Sequence, residues 1–271
     1  MRIFAIRDEE LSPQKTLGHL LYYEKTKSFY IELPDDADPW ETPLLLSSFL
    51  KRSELTVNAY WSKMWVQQRI VPPDRQNLGQ VLKANGLDEY DEFDLLMLAK
   101  GRCAQDSCYL VEIDEGEIPD ALRKRWEKKI EDVIPLAGSQ LLVFFRDGML
   151  RKCDAAKLIG SDVRFLPVLK NPELFRTVCV QTDGYGVSWS ETMTIGNMKL
   201  YESGVEVPLT LDDFISFIAN RVVNTSEAAE MLGCSRQNID DLTKRGTLHP
   251  IREDARNKLY LKNEIQQRIK K

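Results

Sequence analysis

The chain has 271 residues, 43% hydrophobic and 29% charged, with a net charge of −5. That length and apolar content suit two or three folded modules, while the acidic balance excludes a protein that coats nucleic acid over its whole surface. No apolar run reaches bilayer length, the opening MRIFAIRDEE turns acidic without a signal-peptide core, and five scattered cysteines suit reduced thiols, so a cytoplasmic protein without membrane contact is expected.

Residues 1 to about 118 read as an α+β module. Arg2–Ile6, His19–Tyr23 and Ser28–Leu33 have strand composition, the last two joined by the turn Glu24–Lys27. An acidic loop bounded by Pro34 and Pro39 follows, and Pro43 opens an apolar helix, Leu44–Leu50, where its missing N–H costs little. Further helices are expected over Val57–Arg69, Gln76–Asn85 and Phe93–Lys100, the last two stopped by Gly86 and Gly101, with a final strand at Tyr109–Ile113. Trp40, Tyr60, Trp61 and Trp65 admit two readings: core filling between helices and sheet, or a partly exposed interaction patch with Trp61 and Trp65 touching a protein partner.

The run from Ile70 to Ile113 resembles the end of the N-terminal subdomain of HipA-type toxin kinases, on Val71-Pro72-Pro73, Arg75, Asp91, Phe93, Leu95-Leu96 and Gly101. The resemblance implies a docking surface for a DNA-binding antitoxin rather than a phosphoryl-transfer site. The kinase core is missing: no Gly-rich phosphate loop, strand lysine or metal-binding Asp motif follows.

Pro119–Lys129 reads as a charged helix, either a solvated linker or a packing helix. Residues 130–207 then read as a second small α+β module. Gln140–Phe145 and Met149–Asp154 are strands about the turn Arg146-Asp147-Gly148, Asn171–Phe175 begins a short helix, and Val178–Gln181 and Gly186–Trp189 form another hairpin. The marks Leu142-Val143-x-Phe145-x-Asp147-Gly148, Leu169, Pro172, Phe175 and the Trp189 strand resemble a small α+β family of unknown function found beside helix-turn-helix and toxin–antitoxin proteins. That family brings no catalytic residue with it.

Residues 210–271 are the basic end: from Arg221 onward there are 11 Lys+Arg and 7 Asp+Glu, hence +4, against −9 for the rest. Thr210 can cap a helix over Leu211–Asn220. A second helix, capped by Thr225 or Ser226, carries Ala228, Ala229 and Leu232 on one face and ends at Gly233. Ser235 caps a third helix, with Ile239 and Leu242 inward, which Gly246 stops. Leu259 and Tyr260 look like a return strand, and Asn263 can cap a last helix. EAAEMLGCSRQNIDDLTKRGTLHPI resembles the excisionase/MerR-type winged helix-turn-helix in its alanine pair, LGxSR turn and RG-x-L exit. That resemblance implies base-edge contacts from Ser235, Arg236, Gln237 and Asn238, and phosphate contacts from Lys244, Arg245, Arg252, Arg256 and Lys258. Asp240 and Asp241 depart from a phosphate-binding pattern, and one of them is expected to pair with Lys244 at helical spacing.

No catalytic, cofactor or metal site is expected. His19 and His249 lack neighbouring ligands, Cys103 and Cys108 have no second pair, and Gly184-Tyr185-Gly186 reads as a turn. The combined expectation is a multi-domain α+β chain that binds double-stranded DNA as a non-catalytic bacterial transcriptional regulator of antitoxin-like kind, with a protein partner that is toxin-like or a second copy in a homodimer. The alternative is an interaction adaptor whose helix-turn-helix serves packing or dimerisation.

Overall fold

The computed structural model describes residues 1–254 and 257–269, apart from the side chains of Asn263, Gln267 and Ile269. The chain is a mixed α+β protein that divides into two compact units, Met1–Val207 and Pro208–Lys271.

The first unit opens with β1 (Arg2–Asp8), β2 (Gly18–Tyr23) and β3 (Ser28–Glu32), then α1 (Leu44–Leu50), β4 (Thr56–Val57), α2 (Ala59–Gln67), α3 (Leu78–Ala84), α4 (Glu92–Leu98) and β5 (Cys108–Glu112). The strands form one antiparallel sheet in the order β4-β3-β2-β1-β5. Alternate residues Phe4, Ile6, Leu20, Tyr22, Phe29 and Ile31 bury one face against Trp65, Val66, Phe93 and Leu96 of α2 and α4. Ile3 on the other face packs on Ile118 and on Leu122 of α5 (Asp120–Glu127). The sheet is thus covered on both sides, and of the two roles its sequence left open α5 takes that of a packing helix.

Two expectations change here. Val57 belongs to β4, because the Asn58 side chain accepts from the Trp61 N–H at 3.1 Å and starts α2 only after it. Trp65 is 1% exposed, with the Arg69 guanidinium 3.5 Å from its ring centroid, so it fills the core and cannot meet a partner in this fold. Trp61, 43% exposed beside half-exposed Tyr60, remains at the surface.

A second sheet follows within the same unit: β6 (Ile130–Leu136), β7 (Gln140–Phe145) and β8 (Leu150–Asp154), succeeded by α6 (Ala155–Ile159), α7 (Leu166–Lys170), α8 (Pro172–Phe175), β9 (Cys179–Val180), β10 (Gly186–Ser188), β11 (Thr194–Gly196), α9 (Asn197–Ser203) and β12 (Val205–Glu206). Strand order is β12-β8-β7-β6, beside a small β11-β10-β9 sheet. Sequence assigns no strand to β6, since Pro135 interrupts its pattern. The structure tolerates that proline because β6 is an edge strand. Leu141, Val143, Phe145, Val168, Phe175, Val187 and Leu200 form its core.

The expected break between residues 118 and 130 falls inside this one compact unit. Its two hydrophobic cores meet along a polar and aromatic seam. Tyr30 of β3 stacks on Tyr185 with ring centroids 4.0 Å apart. Lys129, 1% exposed, places Nζ 3.9 Å from the Tyr185 ring centroid and donates to Asp183, which also accepts from Tyr23 and from Arg146. Burial lowers the Lys129 pKa against the pull of Asp183. Burial would raise that of Asp183, but Lys129, Tyr23 and Arg146 hold it below the usual carboxylate range.

In the second unit, α10 (Leu211–Arg221) leads into β13 (Val222–Asn224), α11 (Thr225–Leu232), α12 (Arg236–Lys244), β14 (Arg252–Glu253), β15 (Lys258–Leu261) and α13 (Lys262–Ile269). The strands pair in the order β13-β15-β14. Val223, Ala228, Ala229, Ile239, Leu248, Tyr260 and Ile265 make a separate core.

Candidate nucleic-acid interface

The side chains that sequence singles out for DNA lie on α12 and the β14–β15 hairpin, so the site begins with what holds these two elements. Asn224, not Thr225 or Ser226, caps α11: its side-chain oxygen accepts from the Ser226 and Glu227 N–H groups at 2.8 and 3.0 Å, while Glu227 accepts from the Asn224 N–H. This is a reciprocal capping box, legible in the spacing Asn224-x-x-Glu227. Gly233 closes α11 in the left-handed conformation, φ 63°, and three residues, 233–235, separate the helices. Ser235 then caps α12 by accepting from the Asn238 N–H at 3.2 Å. Buried Ala228 and Ala229 carry no bulk that would hold α12 away, so Ile239 seats fully in the core.

The hairpin is tied to α12 from within. Tyr260 of β15 is fully buried, and its hydroxyl lies 3.1 Å from that of Thr243 in the last turn of α12. β15 pairs on its other edge with β13, directly before α11, so strand and helices share one frame.

On that frame Ser235, Arg236, Gln237 and Asn238 are all exposed. They form the cap and first turn of α12, where backbone N–H groups lack intrahelical partners and the helix dipole is positive. Lys244 and Arg245 are exposed at the other end of the helix, and Arg252 is exposed on β14. Arg256 lies outside the described residues, and the backbone of Asn263, expected to precede the last helix as its cap, is already inside α13. Gln237, Asp241 and Lys244 point away from Ile239 by helical spacing.

Lys258 departs from the expectation. Its ammonium sits 3.0 Å from Asp240 and 3.2 Å from Glu253, with the side chain largely covered. The hydrogen bond to Asp240 raises its pKa, so it stays charged but is neutralised locally. It is therefore not a free phosphate contact, and Asp240 takes its cation from the hairpin rather than from Lys244. The sequence hid this pair because its partners are 18 residues apart on different elements. His249 lies 3.2 Å from Glu264 through Nδ1, a surface ion-pair position.

No group of His, Cys, Asp and Glu among the described residues could hold a metal ion, and no described helix is long and apolar enough to cross a membrane. No protein-family model and no curated protein matches the chain. Among solved structures it is similar to a presumed DNA-binding protein, NE0471 of Nitrosomonas europaea, at 24% identity and a TM-score of 0.26, covering 45% of this chain and 79% of that one. A superposition that loose adds nothing to the geometry above.

Proposed function

We propose that the chain is a non-catalytic bacterial DNA-binding regulator whose second unit works as a winged helix-turn-helix. One observation carries this reading: α12 presents Ser235, Arg236, Gln237 and Asn238 to solvent at its N-terminal end, on a frame tied to the hairpin that carries exposed Arg252. Arginine, glutamine and asparagine are the side chains that pair bidentately with guanine and adenine edges in the major groove. Lys244, Arg245 and Arg252 would hold phosphates beside them, supplying affinity without sequence preference.

In this reading the acidic first unit binds a protein partner, with Trp61 and Tyr60 as its exposed aromatic contacts, and two copies act together because one such module buries little DNA surface. The resemblance of residues 70–113 to the HipA-type docking subdomain supports a partner-binding surface on this unit, and the antitoxin-like part of the reading rests on the helix-turn-helix joined to it. Asp240 and Asp241 on α12 favour a second reading, an interaction adaptor whose helix-turn-helix packs or dimerises instead of meeting DNA.

The deciding experiment is titration of the full chain against duplex pools of random sequence at several salt concentrations. A regulator loses affinity steeply with salt and enriches a defined site, and Arg236→Ala flattens that enrichment. Absence of duplex binding at low salt, with the fold intact by circular dichroism, decides for the adaptor.

A further inference from the structure

The face of the first sheet that meets α5 carries polar groups where a covered face is usually apolar. His19 of β2 lies opposite Ala5 of β1 and Glu32 of β3, and Arg7 is two residues beyond Ala5, so Arg7, His19 and Glu32 share that face. Arg7 and His19 are diagonal neighbours across the strand pair, a separation of about 7–8 Å that long side chains bridge. Beside Leu122 of α5 this face opens into a cleft of about 630 Å³, within the range of small-molecule sites. Arg7 and His19 lie in it, Arg125 of α5 borders it, and exposed Asp35, Asp36 and Asp38 mark its mouth.

Two of these groups are unsatisfied. His19 is 5% exposed, yet neither ring nitrogen has a hydrogen-bond partner among the described residues, and burial beside Arg125 keeps the ring neutral. The Arg7 guanidinium has no ion pair and no hydrogen bond among the described residues, and its Nε is buried. The other cations are taken. Arg125 lies 3.5 Å from Asp35 and 3.6 Å from Glu32 and donates to the Leu33 carbonyl at 2.6 Å, and Lys15 pairs with Glu41. Buried donors without partners are rare enough to call for an occupant. A guanidinium beside an imidazole N–H suits a carboxylate. The mouth sets the other end of the ligand. Around the cleft Arg7, Lys15 and Arg125 are outnumbered by Asp35, Asp36, Asp38 and Glu117, so a multiply charged anion is repelled on entry. Asp36 has no ion pair among the described residues and is left to meet a cation.

We infer that this cleft binds a small zwitterion of the amino-acid class, its carboxylate held by the Arg7 guanidinium and the His19 ring and its ammonium by Asp36 at the mouth. Such a ligand carries its charges in the order the cleft does, anion inward and cation outward, and fills the unmet donors without adding net charge. The inference goes beyond DNA binding, and its test contains no nucleic acid: a chain that takes up an amino acid but ignores duplex keeps this inference and loses the proposed function.

The test reads His19 directly. The chain has two histidines, so proton–nitrogen correlation spectra of the imidazole rings in the full chain show His19 and exposed His249 alone, and His249→Gln tells them apart. Glycine, leucine, lysine and γ-aminobutyrate are titrated singly to about 10 mM, a range in which millimolar binding is readable. At least one is expected to shift the His19 signals saturably and leave His249 unmoved. Arg7→Met should weaken that ligand at least about tenfold, the loss of a hydrogen bond to a charged group. Asp36→Asn should weaken it about twofold to fivefold, as for an exposed ion pair. Arg164→Ala, at a surface arginine paired with Asp162, leaves binding unchanged. Circular dichroism checks that the variants keep the fold. Analogues lacking the amine or the carboxyl group (isocaproate and isopentylamine in the case of leucine) bind more weakly than the zwitterion, and so does inorganic phosphate. Absence of a His19 shift with all four compounds, as for a cleft that holds only water, overturns the inference. So does equal binding of an amine-free or carboxyl-free analogue or of phosphate, or indifference to Arg7→Met or Asp36→Asn.

Discussion

The Lys258 ammonium of β15 lies 3.0 Å from the Asp240 carboxylate of α12, joining the hairpin to the middle of the helix. Each residue cancels what sequence assigns to the other: the lysine is no free phosphate contact, and the aspartate is no naked repulsive charge. Asp241, one residue on, has no such ion pair among the described residues and lies on the outward side of α12.

If α12 meets duplex DNA, Asp240→Asn leaves Lys258 paired with Glu253 alone and frees part of its charge for phosphate. Affinity then rises, and the slope of log K against log salt steepens, by at most about one. Lys258→Ala, removing a charge already neutralised, changes the slope less than Arg252→Ala does. Fluorescence anisotropy over a salt series measures all three, and an unchanged slope for Asp240→Asn counts against phosphate being near this pair.

The caps of the second unit predict local stability losses. Asn224→Ala removes an acceptor for two N–H groups and costs about 1 kcal/mol. Tyr260→Phe deletes the hydroxyl contact to Thr243 and costs about 1 kcal/mol. Because the chain has two compact units, a single melting transition averages them. Amide hydrogen exchange over residues 226–232 and 239–244 is the sharper readout, and protection should fall there without change in β1–β3.

Lys129 predicts the largest effect in the first unit. Lys129→Ala leaves Asp183 half-stripped of its cations in a covered site and costs about 3–5 kcal/mol, the range for breaking a buried pair. Retention of Arg146 and Tyr23 as partners places it toward the lower end. Lys129→Met with Asp183→Asn removes both charges while keeping most of the volume, and should recover part of that loss in urea unfolding. If the double variant is no more stable than Lys129→Ala, the pair is not what holds the seam.

His19 predicts the acid side of stability. Burial, helped by the nearby Arg125 charge, lowers its pKa to about 4. The folded value lies below the unfolded one, so the unfolded chain takes up the proton first. Its contribution is complete above about pH 6.5 and is lost as pH falls toward 4, reaching roughly 3 kcal/mol at most. Glu32 has the opposite sign: burial raises its pKa despite Arg125 and Lys129, so its contribution is lost as pH rises. His19→Gln should flatten the decline in urea midpoint between pH 6.5 and 4, and a parallel curve for the variant would show that His19 does not titrate there.

The sequence by itself determined most of the elements and, in the second unit, the starts of α10 and α12 and the glycine stop of α11, though not the starts of α11 and α13. Pro43 before α1, the left-handed Gly233, the Ser235 cap and the Thr210 box are interactions between residues a few positions apart, and such interactions are written in spacing. Arg236, Gln237 and Asn238 were singled out by the winged-helix resemblance; periodicity alone would put Arg236, three residues before buried Ile239, on the inner side, and its exposure comes from its place in the first turn. What only tertiary structure decided lies across long sequence gaps or turns on which face is covered. Lys129 reaches Asp183 over 54 residues, which turns a charged helix end into the seam of one compact unit. Trp65 and Trp61 are four residues apart and share one side of α2, yet one is core and the other surface, because Trp65 lies over the sheet core while Trp61 sits in the first turn, where that cover ends. Charge and aromatic content could not separate such pairs, since burial is set by the neighbouring element and not by the residue.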